Sequence, residues 1–162
     1  MQTKDAIKFA LAASNGSVLG VIDEMSSAPT TFPTPNGGCH PLWVLGHLAF
    51  VEGMIPAALF GEPNAAADWA KYFGRGTEPV SDPAAYPPFA EVRKRYAQLR
   101  ERNLQLLDGF SESDLDKPSV APPKGLEHLF ATYGKSFLAL ALHQMNHRSH
   151  VTDARRAARV SV

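Results

Sequence analysis

Three histidines, His47, His143 and His147, carry the most chemistry in this sequence. Two of them stand four apart in His143-Gln-Met-Asn-His147-Arg148, inside a long helical pattern. Side chains at that spacing share a helix face, with Cβ atoms roughly 5–6 Å apart, so both imidazoles reach one divalent metal. His47 lies far upstream in Trp43-Val-Leu-Gly-His47-Leu-Ala-Phe50, a second helical stretch with an apolar face. If the two helices pack together, the three imidazoles meet. Three protein ligands leave one coordination position open, the arrangement of a catalytic metal rather than a structural one. Neutral imidazoles suit zinc, nickel or iron(II). Burying three of them is costly unless something satisfies them, and a metal does so.

A lone histidine on an apolar helix face is usually a core residue bonded to backbone, so the weight rests on the combination. His150 follows His147 by three residues. It could be a fourth ligand, a proton shuttle or a neighbour that supports a ligand, and the last reading is preferred. Asn103 and Arg148 are the other candidates to support the ligands or line the pocket; Asn103 is expected to face substrate. His40, before Pro41, is expected to cap the second helix or face the loop. His128 is expected early in the fourth helix, roughly four turns from His143 and out of reach. Gln144 stands where a zinc protease has its glutamate base, so that motif is absent. Glu52, Asp153, Asn146 and Asn103 are candidate bases or orienting groups.

Four long helices must position these residues. Ile7, Leu11, Ser14, Val18, Val21 and Met25 repeat at three/four spacing, which predicts a helix over about 3–25. A loop with three prolines and the turn Asn36-Gly37-Gly38 follows over 26–39. Pro41 suits a first helical position, and the second helix should run to about Phe60 with Trp43, His47, Phe50 and Met54 on one face. Pro56 should kink it or set off its last turn. Residues 61–88, rich in Gly, Pro, Ala and Asp, read as a long crossover holding at most a short helix over 66–73. The third helix is predicted over 89–110 on Phe89, Val92, Tyr96, Leu99, Leu106 and Phe110. The fourth is predicted over 125–158, with a break near Gly134. No segment alternates with period two. The fold class is therefore all-α: one domain over 1–162, a four-helix bundle with a long crossover, an architecture that holds metals between facing helices.

Composition narrows the function. The 162 residues carry equal numbers of acidic and basic side chains, sixteen of each, with no run of five like charges. This excludes an electrostatic nucleic-acid binder. Arg155-Arg156-Ala-Ala-Arg159 reads as favourable charge at a helix C-terminus. Cys39 is the only cysteine, so no intrachain disulfide forms, which fits a reducing cytoplasm. The N-terminus lacks a signal-peptide core, and no run of about 18 apolar residues predicts a membrane span.

These residues resemble the DinB-like (DNA-damage-inducible B) superfamily of metal-binding helical bundles. The resemblance rests on Trp43-x-x-Gly46-His47-Leu48 and His143-x-x-x-His147-Arg148. It extends through Phe73-Gly-Arg-Gly-Thr77, Asp82-Pro-Ala-Ala-Tyr86-Pro and Ser111-Glu-Ser-Asp-Leu115, covering essentially the whole chain. Ser149 departs from the pattern, where many members have Gly. The resemblance implies an up-up-down-down bundle, frequent homodimers, and one divalent metal, often nickel or zinc, on His47, His143 and His147. It also implies relatives that are thiol-dependent S-transferases, a mycothiol-dependent isomerase or metal-dependent hydrolases, alongside many members of no established activity. The expected function is a metal-dependent enzyme that activates a low-molecular-weight thiol or water toward a small-molecule substrate. The alternative is a non-enzymatic metal-binding stress-response or sensor protein.

Overall fold

The computed structural model describes residues 1–25, 29–32 and 38–158. Most of the predicted 26–39 loop, the Asn36-Gly37 turn and Arg159 lie outside those residues. Among the described residues five α-helices form: α1 (Thr3–Glu24), α2 (Pro41–Phe60), α3 (Ala70–Phe73), α4 (Phe89–Gly109) and α5 (Tyr133–Ala157). Short 3-10 turns stand at Ala67–Trp69, Pro83–Ala85 and Ser113–Asp116. The fold is all-helical; among the described residues there is no strand, only an isolated bridge between Pro118 and Thr132.

Helix α1 packs chiefly on α5, and α2 on α4 and α5. The predicted stripe of α1 is buried in full, from Ile7 to Met25. Helix α2 lies between its neighbours and is apolar nearly all round. His40 caps it, its Nδ1 accepting from the Trp43 amide at 3.1 Å, with Pro41 at the first position. Pro56 sits inside α2 without ending it. By length and composition α1 and α2 would each pass for a membrane span. Most of α2 is buried inside the fold, as in the core helix of a globular protein.

Two apolar clusters fill the interior. One gathers Val18, Leu45, Leu48, Val92 and Val151, the other Ile7, Leu11, Ile55, Leu107 and Phe137. Along each long helix a buried polar residue separates them: Ser14 on α1, Glu52 on α2, Arg100 and Asn103 on α4, Gln144 on α5. Arg100 donates to Glu52 Oε1 at 2.8 Å and to the Leu11 carbonyl at 2.7 Å. Ser14 donates to Gln144 Oε1 at 2.5 Å, and Gln144 Nε2 donates to the Tyr96 hydroxyl at 2.9 Å. Burial pushes the Glu52 carboxyl up, and the adjacent guanidinium pulls it back. Removing one member of such a buried pair costs about 3–5 kcal/mol, because the other charge is left uncompensated.

Three expectations are corrected. The fourth long helix starts at Tyr133, not near Gly125. Gly125 has φ +80°, outside the helical region, and Thr132 caps the true start by accepting from the Lys135 amide at 3.3 Å. His128 therefore sits in a loop. Gly134 causes no break; it lies in the first turn of α5, where a Cβ would stand 3.2 Å from the Leu115 carbonyl, so glycine permits the close approach. The deep line of α4 is also rotated from the predicted one. It runs Val92, Tyr96, Arg100, Asn103, Leu107, with Leu99 and Leu106 only partly buried. The buried Glu52 draws the arginine inward.

Candidate metal centre

Helices α2 and α5 bring the three histidines to one point. His143 Nε2 lies 3.2 Å from His47 Nε2 and 3.1 Å from His147 Nε2. One nitrogen from each ring falls within 4.8 Å of the other two. A tetrahedral ion with metal–nitrogen bonds near 2.05 Å sets its ligands about 3.3 Å apart. The donor chemistry agrees. His47 Nδ1 donates to the Phe73 carbonyl at 2.7 Å, which puts the proton on Nδ1 and leaves a lone pair on Nε2. A proton on His143 Nε2 could satisfy only one of its two short contacts. A shared cation satisfies both, so the residues present fit a divalent metal.

The surroundings hold His47 rigidly. Trp43 stacks on its ring, with centroids 4.7 Å apart and planes within 10°. Trp43 Nε1 donates to Thr77 Oγ1 at 3.2 Å, and Thr77 in turn donates to the Gly74 carbonyl at 2.9 Å. Phe73 ends α3, so its carbonyl has no helical partner and is available to His47. Its ring lies on Gly46, where any Cβ would overlap it. The Phe73-Gly-Arg-Gly-Thr77 segment thus acts as a brace for the first histidine.

Burial lowers the pKa of all three rings. The effect on His47 is partly offset by the Phe73 carbonyl. Burial, with His47 nearby, takes His143 down to about 4. His147 goes lower still through burial and its histidine neighbours. All three are neutral at neutral pH, the form that binds metal.

The other expected residues fall elsewhere. His150 packs edge-on to His147 with centroids 5.2 Å apart, outside the converging nitrogens. Arg148 makes no side-chain hydrogen bond to the cluster, and its Nε is buried without a partner among the described residues. Asn103 does not line the cavity beside the histidines; it bonds Glu52 in the polar layer. Glu52 is likewise committed to Arg100, while Asp153 pairs with Arg156 and Asn146 is exposed. Burial raises the Cys39 thiol, and Cys39 is not in the cluster. Sequence reading missed the Phe73 carbonyl, for which a backbone group gives no signal, and Arg75.

A cavity of about 260 Å³ opens beside His47 and His143. Phe50, Val51 and Met54 continue the His47 face of α2 along its wall, and Ala139 stands one turn before His143. Leu126, Leu129 and Phe130 close it from the loop before α5, with Arg75 also on its wall.

An all-helical chain whose two central helices gather three imidazoles beside a cavity defines a class: helical proteins with a candidate three-histidine metal centre. The sequence matches the DinB superfamily over residues 10–151, a span that includes all three histidines, and the chain belongs to that superfamily. No curated protein matches it.

Proposed function

We propose that this protein is a metal-dependent enzyme holding one divalent ion, zinc or nickel with iron(II) also suited, on His47, His143 and His147. The convergence of three Nε2 atoms beside an apolar cavity carries this reading. When bound, the ion would supply Lewis-acid activation of water or a low-molecular-weight thiol at its open position. The protein's part is to keep the three rings neutral, fix His47 through Phe73 and Trp43, and seat the apolar body of a substrate in the cavity. The chemistry is S-transferase-like or hydrolase-like on a small molecule.

The four long helices read as a four-helix bundle with residues 61–88 as its crossover, supported by the α1–α5 and α2–α4 pairings. A cytoplasmic homodimer is part of the proposal; Leu142 and Met145 on the exposed face of α5 support the self-association. The second reading is a non-enzymatic metal-binding sensor or stress-response protein. It is favoured by one observation: among the described residues no carboxylate joins the cluster as a base.

The test is turnover of an aryl chloride electrophile with a panel of low-molecular-weight thiols, and of simple esters, by fully metallated protein. Turnover that disappears with a chelator and returns with the metal supports the enzyme. Full metal occupancy with no turnover on any of these substrates supports the sensor.

A further inference from the structure

The cavity beside the histidines is apolar except for the two imidazoles and one guanidinium. Six arginines, Arg93, Arg95, Arg100, Arg102, Arg155 and Arg156, each pair with a carboxylate. Arg75 has no such partner among the described residues, although it lines the cavity. Arg75 is exposed, and among the described residues its one side-chain hydrogen bond is a long 3.4 Å contact from Nη1 to the Lys124 carbonyl. Its place is fixed from behind, because it follows Phe73 and Gly74 directly in the segment that braces His47. The cation and the histidine cluster are thus tied to one short stretch of chain.

Size and polarity define what fits. An apolar cavity of about 150 Å³ takes a benzene molecule. The 260 Å³ here accommodates one aromatic ring with a short side chain. Phe50, Met54, Leu129 and Phe130 give the body of such a ligand only apolar contact. A guanidinium without an internal counter-ion favours a carboxylate or similar anion, which it can bind through two parallel N–H donors.

We infer that the cavity binds a small anionic molecule with an apolar body about the size of one aromatic ring, Arg75 taking the anionic group. This rests on the proposed function and gives the substrate class of that site. The far end of the ligand then faces His47 and His143.

The experiment compares 3-phenylpropionate with its neutral counterpart 3-phenylpropanol, by calorimetry and ligand-observed NMR on metal-loaded protein. Wild type is expected to bind the acid about tenfold or more tightly than the alcohol, the value of one charge-assisted contact. Arg75→Gln should bring the acid down to the alcohol and leave the alcohol unchanged. Met54→Trp, which fills the cavity from α2, should weaken both, with circular dichroism confirming an intact helical fold. An acid preference that survives Arg75→Gln overturns the assignment, whether or not a chelator then removes it. Undetectable binding of both probes, or undiminished binding in Met54→Trp, overturns it equally. Metal content of the same samples keeps the two readings apart. A preference lost only in Arg75→Gln, and present in chelator-treated protein, stands even if the histidines hold no metal.

Discussion

Asn103 on α4 donates its side-chain amide to the backbone carbonyl of Glu52 on α2, at 2.9 Å. In an unbroken helix that carbonyl would accept from the amide of the residue four positions on. That residue is Pro56, which has no N–H. Asn103 therefore replaces the missing donor, and the same nitrogen also reaches the Glu52 carboxylate at 2.7 Å. This lets α2 run on through its proline to Phe60, beyond the turns that carry His47 and the cavity wall.

Asn103→Leu should lower stability by about 2–4 kcal/mol, since a buried carbonyl and a buried carboxylate each lose a donor. Bound metal should be unchanged. Pro56→Ala restores an N–H, so it should gain more stability in the Asn103→Leu background than in wild type. Equal gains in urea denaturation of the two backgrounds would separate Asn103 from Pro56. Loss of metal without loss of stability would return Asn103 to the histidine site.

Gly46→Ala should loosen metal without emptying the core. The added methyl displaces the Phe73 ring, and the carbonyl that orients His47 moves with it. Loss of such a partner weakens metal binding by about 10–100-fold. A zinc competition titration that gives the wild-type affinity, in a protein of unchanged helicity, would show that the Phe73 bond does not matter.

Metal-free protein should lose stability on mild acidification. An unfolded histidine titrates near 6.5, whereas His143 in the fold does so at about 4 and His47 and His147 also below their ordinary value. Below about pH 6.5 the unfolded chain therefore binds more protons than the folded one, and stability falls as the pH drops toward about 4. Urea midpoints of chelator-treated protein across this window measure it. His143→Phe should flatten part of the slope; an unchanged slope would mean that the ring is not protected by burial.

Much of this was legible in the residues. The three/four stripes give α1 in full, and the four-residue spacing gives His143 and His147, while His47 joins them only because α2 packs on α5. Leu126 and Phe130 also stand four apart and imitate a helix, but the positive φ of Gly125 turns that segment into a loop, and both side chains serve the cavity instead. Arg100 was invisible because a charged side chain does not register in an apolar stripe. Asn103 and Pro56 each look like a flaw when read within one helix. Only the packing of α2 on α4 shows that each accounts for the other.

The central claim is that His47, His143 and His147 hold one divalent metal. Metal analysis of purified protein by mass spectrometry, with zinc and nickel titrations of the chelated form, tests it most directly. The account predicts one equivalent per chain, a loss of affinity beyond about 100-fold in each of His47→Ala, His143→Ala and His147→Ala, and wild-type content in His128→Ala, whose ring lies in the loop before α5. Full occupancy in any one of the three alanine variants would remove that residue from the ligand set, and full occupancy in all three would contradict the site.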